Sequence, residues 1–256
     1  MSGREVVVHD TAEDVATDGA ARLLRALAAA QAERGVASVV LTGGGVGIAL
    51  LEAVARSPER DSVDWSAVEV FWGDERFVPA GSEDRNDAQA RAALLDAVPV
   101  DPARVHPMAP SDGPLGVDGS DAGDPDAGAD AYAQVLASAA GRLGGEGVPA
   151  FDVLLAGCGP EGHTLSVFPD SPAVHAGGAG VVAVRDCPKP PPTRISLTLP
   201  ASRRAREVWL AATGSGKADV LAQAAGGASE VDVPLAGLAG TERTLWLLDR
   251  EAASKL

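Results

Sequence analysis

The chain has few cysteines and no long apolar run. Only Cys158 and Cys187 occur among its 256 residues, so a framework of disulfide bonds is excluded and a reducing cytoplasm is the expected location. The longest uncharged stretch, residues 35–51, is interrupted by glycines. It is also shorter than the roughly 20 apolar residues that a membrane helix needs. We therefore expect no transmembrane helix.

Positive charge is also scarce, which excludes several classes of partner. Lys and Arg number 21 against 36 Asp and Glu, giving a formal net charge of −15. Nucleic-acid binding needs basic patches that neutralise phosphates, and anionic membranes attract basic surfaces. We expect neither as a partner. The four histidines, at positions 9, 106, 163 and 175, are remote from one another, and no Cys-x-x-Cys pair occurs, so no metal site is expected.

Short apolar runs alternate with longer alanine-rich stretches along the chain. The runs predict strands at 5–9, 37–42, 67–72, 151–157, 181–184, 194–199, 207–213 and 244–249. The stretches predict helices at 12–34, 86–97, 130–143 and 217–225. Strands that are apolar on both faces and separated by helices indicate an α/β fold. Its mostly parallel, doubly wound, Rossmann-like sheet should be covered by helices on both faces.

A Gly/Pro/Asp-rich segment without apolar periodicity occupies residues 107–128. This composition predicts a flexible surface loop. The strand-like segments on its two sides have the same character, and neither half shows a complete alternation of strands and helices. We therefore expect the loop to lie within a single α/β domain that spans residues 1–256.

A glycine-rich segment follows the second predicted strand and opens a helix. It begins with Thr42, Gly43, Gly44 and Gly45, and glycines at a helix N-terminus let an anion approach free backbone N–H groups. The segment departs from the dinucleotide fingerprint because the last glycine position falls on Ile48. The pattern favours an anion site over a tight turn, and nicotinamide binding is the weakest interpretation.

Charged side chains follow two other predicted strands. Asp74, Glu75 and Arg76 come after the third strand, at the end where parallel sheets bind ligands. A glycine-rich turn after the fourth strand contains Glu161 and His163. A histidine near a carboxylate provides a base that titrates near neutral pH and an acid that orients it.

Three further cations occur near predicted strands. Lys189 and Arg194 flank a run of prolines, which stiffens the approach to a strand. Lys217 lies at the start of a predicted helix, in a segment that lacks the full pattern of a triphosphate-binding loop. For any one of them taken alone, the alternative interpretation is an ordinary surface cation. In so acidic a chain, the three together favour a local trap for a small anion.

Together these segments resemble the 6-phosphogluconolactonase family, which is grouped with the glucosamine-6-phosphate isomerases. The resemblance covers almost the whole chain and rests on TGGGVG (42–47), WGDERFVP with SEDRNDAQAR (72–91), FDVLLAGCGPEGHTLSVFP (151–169), PKPPPTRISLT (188–198) and WLLDR (246–250). Two departures stand out. The family usually has Ser-Gly-Gly-Ser-Thr-Pro where this chain has Thr42 and glycines, and it commonly has Asp where this chain has Glu161.

The resemblance implies hydrolysis of 6-phospho-D-glucono-1,5-lactone to 6-phospho-D-gluconate, in the oxidative pentose phosphate pathway and without cofactor or metal. The expected partner is thus a small anionic sugar-phosphate lactone. The family resemblance makes His163 the general base on water, with Glu161 or Asp74 orienting its ring. The sequence does not indicate the oligomeric state. A sugar-phosphate isomerase or deaminase, or a sugar-phosphate-binding regulator without catalysis, remain the alternatives.

The resemblance also implies how the anionic groups are held. The side chains expected to grip the phosphate or the product carboxylate are Arg76, Lys189, Arg194 and Lys217. Thr42 and the backbone N–H groups of Gly43, Gly44 and Gly45 are expected to bind an anion as well. The resemblance does not divide these groups between phosphate and carboxylate.

Overall fold

A computed structural model describes residues 4–113, 123–178 and 180–256 of the chain. Its strands are β1 (Arg4–His9), β2 (Ala37–Leu41), β3 (Val68–Trp72), β4 (Asp74–Arg76), β5 (Gly145–Glu146), β6 (Val148–Pro149), β7 (Val153–Ala156), β8 (Val181–Val184), β9 (Arg194–Leu197), β10 (Glu207–Ala212) and β11 (Arg243–Asp249). Its α-helices are α1 (Ala12–Arg34), α2 (Gly45–Arg56), α3 (Asn86–Ala93), α4 (Pro125–Leu143), α5 (Leu199–Ser202) and α6 (Ala218–Ala225).

The main sheet has six strands in the order β1-β11-β10-β7-β2-β3, and every pair in it is parallel. The predicted α/β class with a mostly parallel sheet is confirmed, and each predicted strand is present. Two of them, β8 and β9, lie outside the main sheet and pair antiparallel with each other, and β9 also pairs antiparallel with the short strand β4. The sequence predicted no strand at β4, because its three residues are all charged.

Helices cover both faces of the main sheet. On one face, α1, α2 and α3 pack into a core that contains Leu24 and Leu50. On the other face, α4 and α6 pack into a second core that contains Tyr132 and Leu221. Successive residues of a strand point to opposite faces, so uninterrupted apolar strands supply both cores. No helix among the described residues is long and apolar enough to cross a membrane.

The helix α4 begins earlier than the sequence analysis predicted. Asp124 is its N-cap and accepts a hydrogen bond from the backbone N–H of Asp126, with Pro125 in the first turn. An Asp followed by Pro is a strong start signal for a helix. The predicted loop 107–128 therefore ends at Asp124, and its last four residues are helical. Residues 114–122 of that predicted loop lie outside the described residues.

Asp152 ties the start of β7 to the start of β2 and to the end of α1. Its Oδ2 accepts hydrogen bonds from the backbone N–H of Ser38 (2.8 Å) and from Ser38 Oγ (3.0 Å). Its Oδ1 accepts one from Arg34 Nη2. Asp152 is buried, and a buried carboxylate is tolerated when donors surround it in this way.

We expect Asp152→Asn to lower the free energy of unfolding by about 1–3 kcal/mol, because the amide turns an N–H donor toward donors that need an acceptor. Urea denaturation measures this difference. The matched control is Asp61→Asn, whose carboxylate is exposed, and its stability should stay within about 0.5 kcal/mol of wild type. Equal stability of the two variants would contradict this role of Asp152.

Candidate active site

A cavity of about 340 Å³ lies where four neighbouring strands of the main sheet end. The segments that follow β2, β3, β7 and β10 supply residues to its wall. Parallel strands end at the same edge of a sheet, so these distant segments are brought together. The cavity is lined by Thr42, Gly43, Gly44, Gly45, Val46, Asp74, Arg76, Asn86, Gly157, Cys158, His163, Leu165, Arg194, Ala211, Ala212, Thr213 and Lys217.

Most of the predicted site residues line this cavity. Of the residues predicted to take part in catalysis or substrate binding, only Glu161 and Lys189 do not line it, and both lie next to it. Glu161 contacts His163, and Lys189 contacts Glu161. The structure therefore brings all the predicted residues into one neighbourhood.

His163 is held at the cavity wall by contacts on two sides. Its Nδ1 is 2.8 Å from Glu161 Oε1, and its ring stacks on Phe168 with 4.4 Å between the ring centroids. A carboxylate only accepts hydrogen bonds, so Nδ1 carries a proton, and in the neutral ring Nε2 then has a free lone pair. Among the described residues, no hydrogen-bond partner of Nε2 occurs. His163 therefore presents a potential proton acceptor to the cavity that it lines.

The surroundings of His163 favour the neutral form of its ring. Burial is the largest influence, and it lowers the pKa of His163 below its usual value, with Lys189 acting in the same direction. Glu161 and Asp74 oppose this by favouring the imidazolium. Burial alone would raise the pKa of Glu161, but hydrogen bonds from its own backbone, from Lys189 and from His163 hold it below its usual value.

The turn around His163 depends on a glycine. A Cβ atom at Gly159 would lie 2.1 Å from His163 Nδ1 and 2.5 Å from Glu161 Oε2. The backbone of Gly159 also donates a hydrogen bond to the carbonyl of His163 (3.0 Å). Any larger residue at this position would separate the ring from its carboxylate. Gly159 thus permits the contact between Glu161 and His163.

Asp74 makes different contacts from those of Glu161. Its Oδ2 accepts a hydrogen bond from Ser166 Oγ (2.6 Å) and lies 4.0 Å from Arg194 Nη1. Asp74 is buried, and no hydrogen bond joins it to His163 among the described residues. Of the two carboxylates that the sequence left open, Glu161 is therefore the one in contact with the ring.

The charged triplet Asp74, Glu75 and Arg76 divides between two faces of the second sheet. Arg76 lies opposite Arg194 in the antiparallel pair of β4 and β9, and alternate residues share a face. Glu75 points away from the cavity and accepts hydrogen bonds from three backbone N–H groups, two of them in the first turn of α3. Burial raises the pKa of Glu75, opposed by Arg85 and by these N–H groups.

The cavity cations differ in how far protein contacts already occupy them. Arg194 is buried and donates to the carbonyls of Lys189, Pro190 and Pro191. Arg76 donates to one carbonyl through Nη1. The side chain of Lys217, at the N-terminal end of α6, has no hydrogen bond or ion pair within the described part of the chain. It is therefore the cavity cation with the most capacity for a ligand.

Sequence reasoning missed several residues of the cavity wall. Asn86 donates from Nδ2 to the carbonyl of Asp74 (2.8 Å), and its Oδ1 is buried. Leu165 lines the cavity with φ 54°, a conformation that non-glycine residues rarely adopt. Both lie in segments on which the family resemblance rests, but neither carries a charge that would have singled it out within them. Cys158 also lines the cavity, and burial raises the pKa of its thiol to about 11, which disfavours a thiolate nucleophile.

Across the described ranges of the chain, no group of three or more His, Cys, Asp or Glu side chains has the geometry to hold a metal ion. The side chains around the cavity instead provide hydrogen-bond donors and positive charge. That donor set suits an anionic organic ligand better than a cation.

The chain was compared with known proteins. A family model described as "Glucosamine-6-phosphate isomerases/6-phosphogluconolactonase" matches residues 10–246. The chain belongs to this family. A relative from Streptomyces coelicolor, named 6-phosphogluconolactonase, is 54% identical over 98% of this chain and 94% of its own length. One of the same name from Mycobacterium tuberculosis is 56% identical over 92% of this chain and 91% of its own length.

The fold of the family agrees with the one described above. The solved structure of 6-phosphogluconolactonase from Trypanosoma brucei superposes with a TM-score of 0.81 at 29% identity. The match covers 99% of each chain. The resemblance inferred from the sequence motifs is therefore confirmed for the family and for the fold.

We expect Gly43→Ala to lower the free energy of unfolding by about 1–3 kcal/mol. A Cβ at this position would lie 2.0 Å from Asn86 Oδ1, and Asn86 cannot retreat because it is buried and bonded to Asp74. The matched variant is Gly45→Ala in the first turn of α2, where a Cβ meets nothing within 4 Å. Gly45→Ala should leave stability unchanged or raise it by up to about 1 kcal/mol. The reverse order of stabilities in thermal unfolding would contradict this packing argument.

Proposed function

We propose that this chain hydrolyses the ester of 6-phospho-D-glucono-1,5-lactone to give 6-phospho-D-gluconate. The observation that carries the proposal is an imidazole, bonded to Glu161 through Nδ1 and without a described partner at Nε2, in a cavity that three cations also line, Arg76, Arg194 and Lys217. One group suits activation of water and the others suit a phosphate. The names of the relatives described above support the same reaction.

In the proposed reaction, His163 acts as the general base. A water molecule attacks the carbonyl carbon of the lactone while its proton passes to His163 Nε2, which forms a tetrahedral oxyanion. Collapse of this intermediate breaks the bond to the ring oxygen, which takes the proton from Nε2. Glu161, hydrogen-bonded to Nδ1, fixes the tautomer and stabilises the imidazolium between the two steps. Positioned proton transfer of this kind contributes typically about 10²–10⁴-fold in rate.

The anionic groups of the substrate would be held by the rest of the cavity wall. The backbone N–H groups near Gly43, Gly44 and Gly45 stand at the start of α2, where the helix dipole favours negative charge. Arg76 and Arg194, opposite each other on one face, add positive charge, and Lys217 approaches from α6. Asp74 would restrain Arg194 rather than take part in proton transfer.

The family also contains amino-sugar isomerases, so the test must separate the two reactions. Purified protein should accelerate lactone hydrolysis above the spontaneous rate at mildly acidic pH and should release no ammonia from glucosamine 6-phosphate. Ammonia release without lactone hydrolysis would favour a deaminase. Binding of the sugar phosphate without turnover would favour a regulator. The cytoplasmic location and the single domain stay predictions of the sequence.

His163→Ala should lower kcat for lactone hydrolysis by about 10²–10⁴-fold, because the proton acceptor is lost. The rate is measured at pH 6 with the spontaneous reaction subtracted. His175→Ala is the matched control, since His175 is exposed and does not line the cavity, and its kcat should equal that of wild type. Turnover by the His163 variant at the wild-type rate would remove this residue from the mechanism.

Lys217→Ala should raise KM for the phosphorylated lactone by about tenfold or more, since a charge-assisted hydrogen bond is worth about 1.5–3 kcal/mol. Its kcat/KM for the unphosphorylated lactone should stay the same, because that substrate offers no phosphate. Lys255→Ala serves as the control, as this lysine pairs with Asp219 at the surface. An equal loss on both lactones would show that Lys217 does not bind the phosphate.

A further inference from the structure

Lys189 stands behind the catalytic pair rather than in the cavity wall. Its Nζ lies 3.0 Å from Glu161 Oε2, while the other oxygen of the same carboxylate lies 2.8 Å from His163 Nδ1. The three side chains form a chain of contacts in which each oxygen of Glu161 has its own partner. The sequence motifs had indicated Lys189 as a ligand of the substrate, and it is absent from the residues that line the cavity.

The backbone around Lys189 is fixed from the cavity side. Arg194, which lines the cavity, donates hydrogen bonds to the carbonyls of Lys189 (3.1 Å), Pro190 (3.3 Å) and Pro191 (3.1 Å). Arg194 is itself buried and sits in the strand β9. The lysine therefore extends from an anchored backbone. Holding its ammonium against Glu161 restricts only the torsions of the lysine side chain, which limits the loss of conformational entropy.

Without Lys189, the carboxylate of Glu161 would have one partner fewer. About a third of the Glu161 side chain is exposed, so its free oxygen would turn toward water and the carboxylate could rotate about its terminal torsion. A donor on each oxygen restricts this rotation and directs Oε1 at Nδ1. The geometry thus gives Lys189 a means of orienting the imidazole through a second residue.

The charge of Lys189 also reaches His163. The titratable and charged groups that face or adjoin the ring are Glu161, Lys189, Asp74, Cys158, Arg76, Arg194 and Lys217. Lys189 counteracts part of the stabilisation that Glu161 gives to the imidazolium, and so it lowers the pKa of His163. Removing the lysine would let the ring hold its proton to a higher pH.

We propose that Lys189 is a positioning residue of the lactonase reaction, which holds Glu161 against His163 and does not bind the phosphate of the substrate. The proposal rests on the proposed function for its effect on turnover. Its structural part, the contact from Lys189 through Glu161 to His163, is testable without any substrate.

The first experiment compares Lys189→Met with wild type. Its kcat should fall about tenfold or more, because small displacements of a catalytic group are costly, while KM for the phosphorylated lactone should stay within about twofold. Neutral His163 is required, so the acidic limb of the kcat/KM profile should move to higher pH. Lys189→Arg keeps the charge and should restore both kcat and the position of the limb. Lys255→Met should behave as wild type.

The second experiment follows the ring proton of His163 by NMR as the pH is changed, with His163→Ala to assign the signal. Its midpoint should rise in Lys189→Met and return toward wild type in Lys189→Arg. A large rise in KM with an unmoved midpoint would overturn the proposal and make Lys189 a phosphate ligand. Unchanged kinetics and an unmoved midpoint would also overturn the proposal, because they would show that the contact is only a surface ion pair. A moved midpoint in a protein without lactonase activity would contradict the proposed function alone.

Discussion

Parallel pairing of β10, β7, β2 and β3 is the constraint on which the candidate active site depends. All four strands run in one direction, so the residues that follow each of them emerge at one edge of the sheet. After β2 the chain enters α2 on one face, and after β7 it packs Leu165 and Phe168 into the core of the other face. The two segments therefore diverge and leave a crevice between them. An antiparallel sheet would send alternate segments to opposite edges and would separate Thr42 from His163.

The small antiparallel sheet adds two positively charged side chains to the cavity that the parallel sheet forms. It sets Arg76 directly opposite Arg194, an arrangement that is unfavourable for two like charges on one face of a strand pair. Asp74 lies 4.0 Å from Arg194 and offsets only part of this repulsion. A bound anion would offset the remaining repulsion. The pairing of the two arginines therefore destabilises the free protein and would favour binding of an anion. A site on a chain of net charge −15 thus becomes locally positive through strand register.

The sequence predicted the strands and the site segments because their signals are local. Runs of Val and Leu identify buried strands, and Gly-Pro-Glu-Gly-His follows one of them. The division of the strands between two sheets could not be predicted, because β8 is as apolar as a parallel strand and β4, the antiparallel partner of β9, consists of charged residues. The sequence also could not predict that Glu161, rather than Asp74, contacts His163, because this contact depends on the conformation of the turn around Gly159. Asn86 could not be predicted as a cavity residue for a similar reason, because it lines the cavity only as a result of where α3 packs.

The four cations illustrate how a fold distinguishes residues that a sequence treats alike. Each lies near a strand end, and each had the same claim to a substrate phosphate. In the structure, Lys189 is paired with Glu161, Arg194 is held by three carbonyls near Asp74, Arg76 by one carbonyl, and Lys217 by no described partner. A cation whose donors are already occupied must break contacts before it binds a ligand, and this cost is subtracted from the affinity that it adds. Among the cations that line the cavity, capacity to bind an anion therefore increases from Arg194 through Arg76 to Lys217, while Lys189 is already paired with a carboxylate.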